Sequence, residues 1–264
     1  MNILVMGIEP VLNSSREDSQ AVFSGSSDTL LLFRADPEEK QLRVLLIPRD
    51  TRVSNRKLKI PKIHSANAEG GAELAVEIVR ESLNDLPIDG YLRLTTESLR
   101  ELVDLLGGVE LFVPQPMYYG QEAPNLAVNG VNGIDALNLE PGWQTLKGEQ
   151  AELFARFQDV EDQEKGDLAR IQRQETLLKA LYQRLSNPKV LRKLPQIVDI
   201  TRQYVDTDLT REEMMALVAF PLQEEVADLQ VMLLPGRLSP SRGGRGFDWW
   251  PNRRGRDQAK PATA

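Results

Sequence analysis

Three short apolar runs rich in branched side chains do most to limit the folds open to this chain. They cover Ile3 to Ile8, Thr29 to Phe33 and Val44 to Ile47, and polar or turn-forming residues bound each one. Such runs are typical of buried strands. Asp36-Pro37 separates the last two runs and predicts the turn of a hairpin. We therefore expect a buried sheet.

Segments with helical periodicity alternate with further strands. Apolar positions from Ala72 to Leu86 recur at helical spacing, and the pattern ends at a proline. Tyr91 to Leu94 predicts a short strand, and Thr95 or Thr96 caps a second helix that Gly107-Gly108 closes. Val109 to Val113 is then expected to return to the sheet. This alternation predicts an α/β protein.

The second half of the chain is expected to be mostly helical. Residues 114 to 142 predict a long irregular excursion. Helices are expected after it, and a last strand, Leu229 to Leu234, is expected to join the sheet edge. The predicted helices are Gly148 to Phe157, Leu168 to Leu185, Val190 to Tyr204 and Arg211 to Glu225. The segment 236–264 is rich in Gly, Pro, Ser and Arg and predicts a flexible tail after one domain spanning 1–235.

Composition excludes several classes of site. The net charge of −7 speaks against attraction of the whole molecule to nucleic acid or anionic lipid, so an anion site must be local. The absence of cysteine rules out disulfides, zinc-thiolate sites and thiol nucleophiles, and a single histidine rules out a histidine metal cluster. The first residues, MNILVMGIEP, form neither a signal peptide nor a membrane span.

An acid and an arginine flank the predicted hairpin. Asp28 begins its first strand and Arg49 follows its second, so a sheet can present both at neighbouring strand ends. A rigidly held guanidinium suits bidentate phosphate binding, and a carboxylate beside it suits a metal. Arg49 also opens a basic segment that extends to Lys62, and a solvated loop is the alternative interpretation of that charge run.

A predicted helix face carries a second group of polar side chains. Asp167, Arg170 and Gln174 follow one another at helical spacing, and Arg156 on the preceding helix provides a second guanidinium. The alternative is that Asp167 is a helix N-terminal charge with a surface partner. Glu9, after the first strand, would join Asp28 in a Mg²⁺ site if the two strands are neighbours.

Six motifs in order give the sequence a family resemblance. They are SDTLLLF, IPRDT, KI-x-x-A-x-A-x-GG, LVDLLGGVELFVP, LEPGWQTLKGEQAELFARF and GDLARIQRQ. Together they resemble the LytR-CpsA-Psr family of cell-envelope proteins over roughly residues 2 to 187. The resemblance implies a single three-layer α/β/α domain with a central mixed sheet and an apolar tunnel for a polyprenyl chain.

The resemblance also implies an activity and a location. Family members transfer a glycan polymer from a polyprenyl-pyrophosphate carrier to peptidoglycan through a phosphodiester link, with Mg²⁺ as cofactor. An N-terminal membrane helix holds the domain at the extracytoplasmic face of the bacterial cytoplasmic membrane. We expect that segment to lie upstream of Met1. Older naming calls the family transcriptional attenuators.

Site residues follow from the matching motifs. The resemblance makes Asp28 a metal ligand with Glu9, and Arg49 a pyrophosphate-binding and catalytic residue. Asp167 is expected to orient the arginines or to help deprotonate the acceptor hydroxyl. The remaining pyrophosphate-binding positions are Lys62, Arg156, Gln158, Arg170 and Gln174.

Three positions depart from the family pattern. Glu9, Ser26 and Gln158 stand where family members usually have aspartate, arginine and arginine. The longer Glu9 side chain shifts its carboxylate by about one bond length, and two lost guanidiniums weaken a pyrophosphate clamp. A non-catalytic polyprenyl-phosphate-binding envelope protein is therefore the alternative function. A transcriptional regulator is disfavoured because the sequence has no convincing helix-turn-helix with a basic recognition helix.

Overall fold

A six-stranded mixed sheet forms the centre of the molecule. The computed structural model describes residues 1–8, 22–119, 137–157, 163–193, 195–197, 204–220, 229–241 and 247–252, with only the backbone for 163–167 and 191. The strands of this sheet are β1 (Asn2–Ile8), β2 (Ser27–Asp36), β3 (Gln41–Ile47), β4 (Gly90–Leu94), β9 (Val205–Thr207) and β10 (Gln230–Leu233). Across the sheet they lie in the order β10-β3-β2-β1-β4-β9.

Helices cover both faces of this sheet. They are α1 (Ser65–Ser82), α2 (Thr96–Leu106), α3 (Gly148–Arg156), α4 (Gln163–Leu185) and α5 (Arg211–Ala219). Alternate residues of β1 point to opposite faces: Leu4 packs in the cluster that contains α1, and Val5 packs in the cluster that contains residues of α4 and α5. This arrangement confirms the predicted α/β domain with a central mixed sheet.

The predicted hairpin and edge strand are confirmed. β2 and β3 pair antiparallel with Leu30 opposite Ile47, and β1 pairs with β2 with Gly7 opposite Thr29. β10 pairs parallel with β3 at the sheet edge. Parallel pairs β1–β4 and β3–β10 beside antiparallel pairs make the sheet mixed.

The expectation that Val109–Val113 returns to the central sheet is wrong. This strand, β5, pairs with β8 (Gly142–Leu146), which the sequence did not indicate as a strand, in a separate two-stranded sheet. β6 (Met117–Tyr119) and β7 (Leu137–Leu139) form another pair, so part of the predicted irregular excursion is regular. Alternation of buried and exposed residues along β5 predicts a strand but not its partner.

The segment after 236 also differs from the expected flexible tail. β11 (Gly236–Pro240) and β12 (Phe247–Pro251) form an antiparallel hairpin, and Trp249 is buried. An aromatic side chain that buries its ring against the core holds such a segment in place. Residues 253–264 lie outside the described chain.

Two helix predictions are only partly matched. Where the helix Val190 to Tyr204 is predicted to begin, the chain forms a 3₁₀ helix, Pro188–Lys193, and residues 194 and 198–203 lie outside the described chain. α5 matches the start of its prediction, and 221–228 are outside. In the described residues no helix combines the length and hydrophobicity that crossing a membrane requires.

Candidate functional site

The β2–β3 hairpin places Asp28 and Arg49 side by side. Because Leu30 is paired with Ile47, the residues just beyond this pair meet at one end of the hairpin. Arg49 Nη1 donates to Asp28 Oδ1. The side chains are 27% and 29% exposed, so both are accessible from solvent. The predicted proximity of the acid and the guanidinium is confirmed, and each is the other's partner in this conformation.

Helix α4 adds two polar side chains to this end of the sheet. Gln174 Nε2 donates a hydrogen bond of 3.2 Å to Thr29 Oγ1. Arg170, one helical turn earlier, lines the same cleft as Asp28 and Arg49. Ile171 packs in the cluster on this face of the sheet, which docks the helix. The backbone of Asp167 lies within α4, and its side chain is outside the described part of the chain.

A large cavity lies between the sheet and the helices on this face. Its volume is about 780 Å³, within the range of about 300–1,000 Å³ typical of small-molecule sites. Most of the lining is aliphatic, and includes Val5, Leu31, Leu92, Leu178, Leu181 and Leu217. The wall also carries a polar group: Asp28, Arg49, Arg156, Arg170 and Gln174. Side chains predicted from separate motifs therefore line one cavity.

Glu152 holds Arg156 in the wall of this cavity. The carboxylate is 1% exposed, accepts a hydrogen bond of 3.1 Å from Arg156 Nη1, and also accepts one from Arg100 Nε. Burial alone would lower the pKa of Arg100, but the hydrogen bond and charge of Glu152 raise it. A buried carboxylate between two guanidiniums fixes the direction of both.

Several cations of the basic segment after β3 pair with nearby carboxylates. Lys62 Nζ lies 2.7 Å from Asp50 Oδ1, and Lys57 pairs with Glu77. Among the described residues that line the cavity, this segment contributes only Arg49. Lys62 therefore reaches the carboxylate next to Arg49 rather than the cavity wall, and its contact with a head group stays a prediction.

Asp28 is the described carboxylate best placed to share a metal ion with a ligand in the cavity. Mg²⁺ commonly takes one or two carboxylates and completes its octahedron with phosphate oxygens and water. The described residues contain no group of three or more Asp, Glu or His side chains suited to a metal. The donor set thus fits a shared cation rather than an all-protein cage. Glu9 and Gln158, the other predicted positions, lie outside the described residues.

Comparison with known proteins gives this geometry a family. The family model described as LytR_cpsA_psr matches residues 1–248. The chain belongs to the LytR-CpsA-Psr family. The match extends beyond the motifs of the first 187 residues and takes in the start of β12.

Two curated LytR-CpsA-Psr relatives bear names of transferases. The chain is 29% identical over 219 residues to the polyisoprenyl-teichoic acid–peptidoglycan teichoic acid transferase TagV of Bacillus subtilis, covering 82% of this chain and 51% of the relative. It is 32% identical over 218 residues to TagU of Halalkalibacterium halodurans, a transferase of the same name, covering 82% and 63%. The chain therefore spans between half and two thirds of the length of these relatives.

The fold matches a solved structure of the family. The crystal structure of B. subtilis TagV superposes with a TM-score of 0.75 at 25% identity, covering 98% of this chain and 93% of that chain. The structural match therefore includes β11 and β12, the described part of the segment that the sequence predicted to be a flexible tail.

Sequence reasoning missed Glu152. A signal was present, because Glu152 and Arg156 are four residues apart in the GEQAELFAR helix and this spacing brings side chains together. What the spacing does not reveal is the burial of the carboxylate or its second contact with Arg100, which lies on a different helix.

Proposed function

We propose that this chain transfers a glycan polymer from a polyprenyl-pyrophosphate carrier to peptidoglycan, forming a phosphodiester link, in cell-wall biogenesis. The observation that carries this function is the apolar cavity whose wall also carries Arg49, Arg156 and Arg170. The names of the TagV and TagU relatives support the same class of reaction.

The two parts of the cavity suit the two parts of such a carrier. Each methylene moved from water into the aliphatic part contributes about 0.8 kcal/mol. The guanidiniums of Arg49, Arg156 and Arg170 suit phosphate oxygens, to which they donate charge-assisted hydrogen bonds. Gln174 and Lys62 are the further proposed contacts to the pyrophosphate, together with Gln158.

Chemically, an acceptor hydroxyl of peptidoglycan attacks the phosphorus that carries the glycan. A new oxygen–phosphorus bond forms, the bond to the bridging oxygen breaks, and the polyprenyl phosphate leaves. Asp167 is proposed to take the hydroxyl proton or to orient the arginines. Asp28 and Glu9 would hold Mg²⁺, which supplies charge neutralisation on the phosphate oxygens when bound.

For Arg49 this implies an exchange of partners. In the described conformation Arg49 donates to Asp28. With pyrophosphate and Mg²⁺ bound, Arg49 Nη1 would donate to a phosphate oxygen instead of to Asp28, while Nε keeps its place beside Asp50, and the Asp28 carboxylate would be available to the cation. We place this site at the extracytoplasmic face of the bacterial cytoplasmic membrane.

The second candidate is a non-catalytic polyprenyl-phosphate-binding protein. Ser26 and Gln158 in place of arginines favour it, because fewer cations then stabilise charge at the phosphorus. Both candidates predict lipid binding. Only the transferase predicts metal-dependent turnover.

The test is glycan transfer from a purified lipid-linked donor to peptidoglycan. We expect the wild type to transfer the glycan and to lose this activity when a chelator is added. Arg49→Ala should lower the transfer rate by about 100-fold or more, which is the effect of removing one transition-state contact. Arg80→Ala, an exposed arginine on α1, is the matched control. Undiminished transfer by Arg49→Ala would refute the role of Arg49. Lipid binding without transfer by the wild type would favour the second candidate.

A further inference from the structure

The β11–β12 hairpin is fastened to the turn that carries Arg49. Arg52 N donates a hydrogen bond of 2.8 Å to Trp249 O, and Trp249 N donates one of 2.9 Å to Asp50 O. Trp249 lines a small cleft together with Arg49 and Arg170. The hairpin therefore contacts both the backbone of the turn and the surroundings of its guanidinium.

A buried carboxylate strengthens this attachment. The Asp248 side chain is 2% exposed, with Oδ1 3.4 Å from Lys62 Nζ and Oδ2 3.8 Å from Arg52 Nε. Lys62 Nζ also donates 3.1 Å to Phe247 O. A buried charge is tolerated only when opposite charges compensate it, so Asp248, Lys62 and Arg52 form one ion-pair group.

From Asp248 a row of alternating charges leads to the cavity. Lys62 bridges Asp248 and Asp50, and Asp50 Oδ2 lies 3.8 Å from Arg49 Nε. The exposed fraction of the side chains falls from 27% for Arg49 through 22% and 16% to 2% for Asp248. Ion pairs that extend into the protein interior thus restrain the solvent-accessible guanidinium of Arg49.

We propose that Asp248 is a positioning residue for Arg49 and that the β11–β12 hairpin thereby completes the head-group site, an inference that rests on the proposed function. Lys62 acts in this row as the link between Asp248 and Asp50. An arginine held in one direction binds a diphosphate with less loss of side-chain freedom than a mobile one. Asp248 itself touches no ligand.

The experiment measures binding of geranylgeranyl pyrophosphate to wild type, Asp248→Asn, Arg49→Ala and the double variant by calorimetry, with a melting curve of each. We expect Asp248→Asn to bind the probe about five- to tenfold more weakly than wild type. In the Arg49→Ala background the same substitution should weaken binding by less than about twofold, because the two residues act in one row. Asp206→Asn is the matched control: it removes a carboxylate 2.7 Å from Arg93 between β9 and β4, and it should bind as wild type does.

The outcomes separate this inference from the proposed function. If the wild type does not bind the probe, the proposed function fails. If the wild type binds the probe and Asp248→Asn binds it equally well, positioning by Asp248 is refuted. It is also refuted if Asp248→Asn weakens binding by the same factor with and without Arg49. Should Asp248→Asn not fold, Asp50→Asn interrupts the same row at a more exposed side chain. It must then show the same loss and the same dependence on Arg49, and its failure to do so overturns the proposal.

Discussion

At the residue scale, Glu152 is a buried carboxylate that joins two guanidiniums at the cavity wall. Glu152→Gln keeps the volume of the side chain but leaves Arg100 and Arg156 without their shared carboxylate. We expect the free energy of unfolding to fall by about 1–3 kcal/mol, since the two guanidiniums are themselves partly exposed and regain some hydration. Urea unfolding followed by circular dichroism measures this change.

Glu149→Gln is the control for that substitution, because Glu149 is an exposed residue of the same helix. Its free energy of unfolding should stay within about 0.5 kcal/mol of wild type. Equal effects of the two substitutions would show that the buried bridge does not stabilise the fold.

His64 predicts how stability depends on pH. Burial lowers its pKa below the ordinary value of 6.5, and the positive charge of Arg49 lowers it further. Asp50 opposes the shift, Lys62 adds to it, and Asp28 opposes it more weakly. The unfolded chain therefore binds a proton more readily than the folded one. The contribution of His64 to the free energy of unfolding is fully present above pH 6.5 and is lost as pH falls towards the lowered pKa.

Urea unfolding at pH 8 and pH 5.5 checks this sign. Because His64 is the only histidine, no other side chain has an ordinary pKa in this window. We expect wild type to be less stable at the lower pH, and His64→Gln to lose most of that difference. A wild-type stability that is unchanged or rises on acidification would contradict the predicted shift.

At the scale of elements, α1 depends on two adjacent glycines that interrupt it. Gly71 has φ +70° and ψ −166°, a backbone conformation that residues other than glycine rarely adopt. A Cβ at this position would meet nothing within 4 Å, so the cost of Gly71→Ala is conformational and not steric. We expect a loss of about 1–3 kcal/mol in the free energy of unfolding.

Glu73→Ala, an exposed change two residues later in α1, provides the comparison and should alter stability by no more than about 0.5 kcal/mol. If Gly71→Ala proves as neutral as Glu73→Ala in urea unfolding, the helix does not need the glycine conformation. The K-I-x-x-A-x-A-x-G-G motif would then have another cause.

Elements were predictable where local sequence determines them. The turn at Asp36-Pro37 joins neighbouring strands, so the β2–β3 hairpin and the meeting of Asp28 with Arg49 followed from local pattern. β5 was predicted as a strand, but its partner was not, because alternation specifies a face and not a neighbour. β8 was missed since its residues, GWQTL, lack a continuous apolar run.

The same distinction applies to the site. Arg49, Arg156 and Arg170 lie in motifs that the family resemblance identifies, and the structure brings all three to one cavity. Asp248 was assigned to a flexible tail, because its contacts with Lys62 and Arg52 join residues far apart in the sequence. Long-range ion pairs leave no local pattern from which to predict them.

At the scale of the whole molecule, the cavity exists because α4 and α5 do not close fully onto the sheet. Leu178 of α4 lines the gap. We expect Leu178→Trp to weaken binding of geranylgeranyl pyrophosphate by about tenfold or more, since excluding about two methylenes already costs that much. Binding of inorganic pyrophosphate, which needs no apolar space, should be unchanged in the same titration.

Met215→Trp adds the same bulk at an exposed position of α5 and is the control. It should bind the lipid as wild type does. Loss of lipid binding in both variants, or loss of inorganic pyrophosphate binding in Leu178→Trp, would mean that the substitution disturbs the fold rather than filling the cavity.

A crystal structure of this chain with geranylgeranyl pyrophosphate and Mg²⁺ tests the proposed function most directly. We expect the isoprenoid chain to lie between the sheet and α4, with the pyrophosphate in contact with Arg49, Arg156 and Arg170. A lipid bound outside the cavity, or a pyrophosphate distant from these arginines at full occupancy, would contradict it.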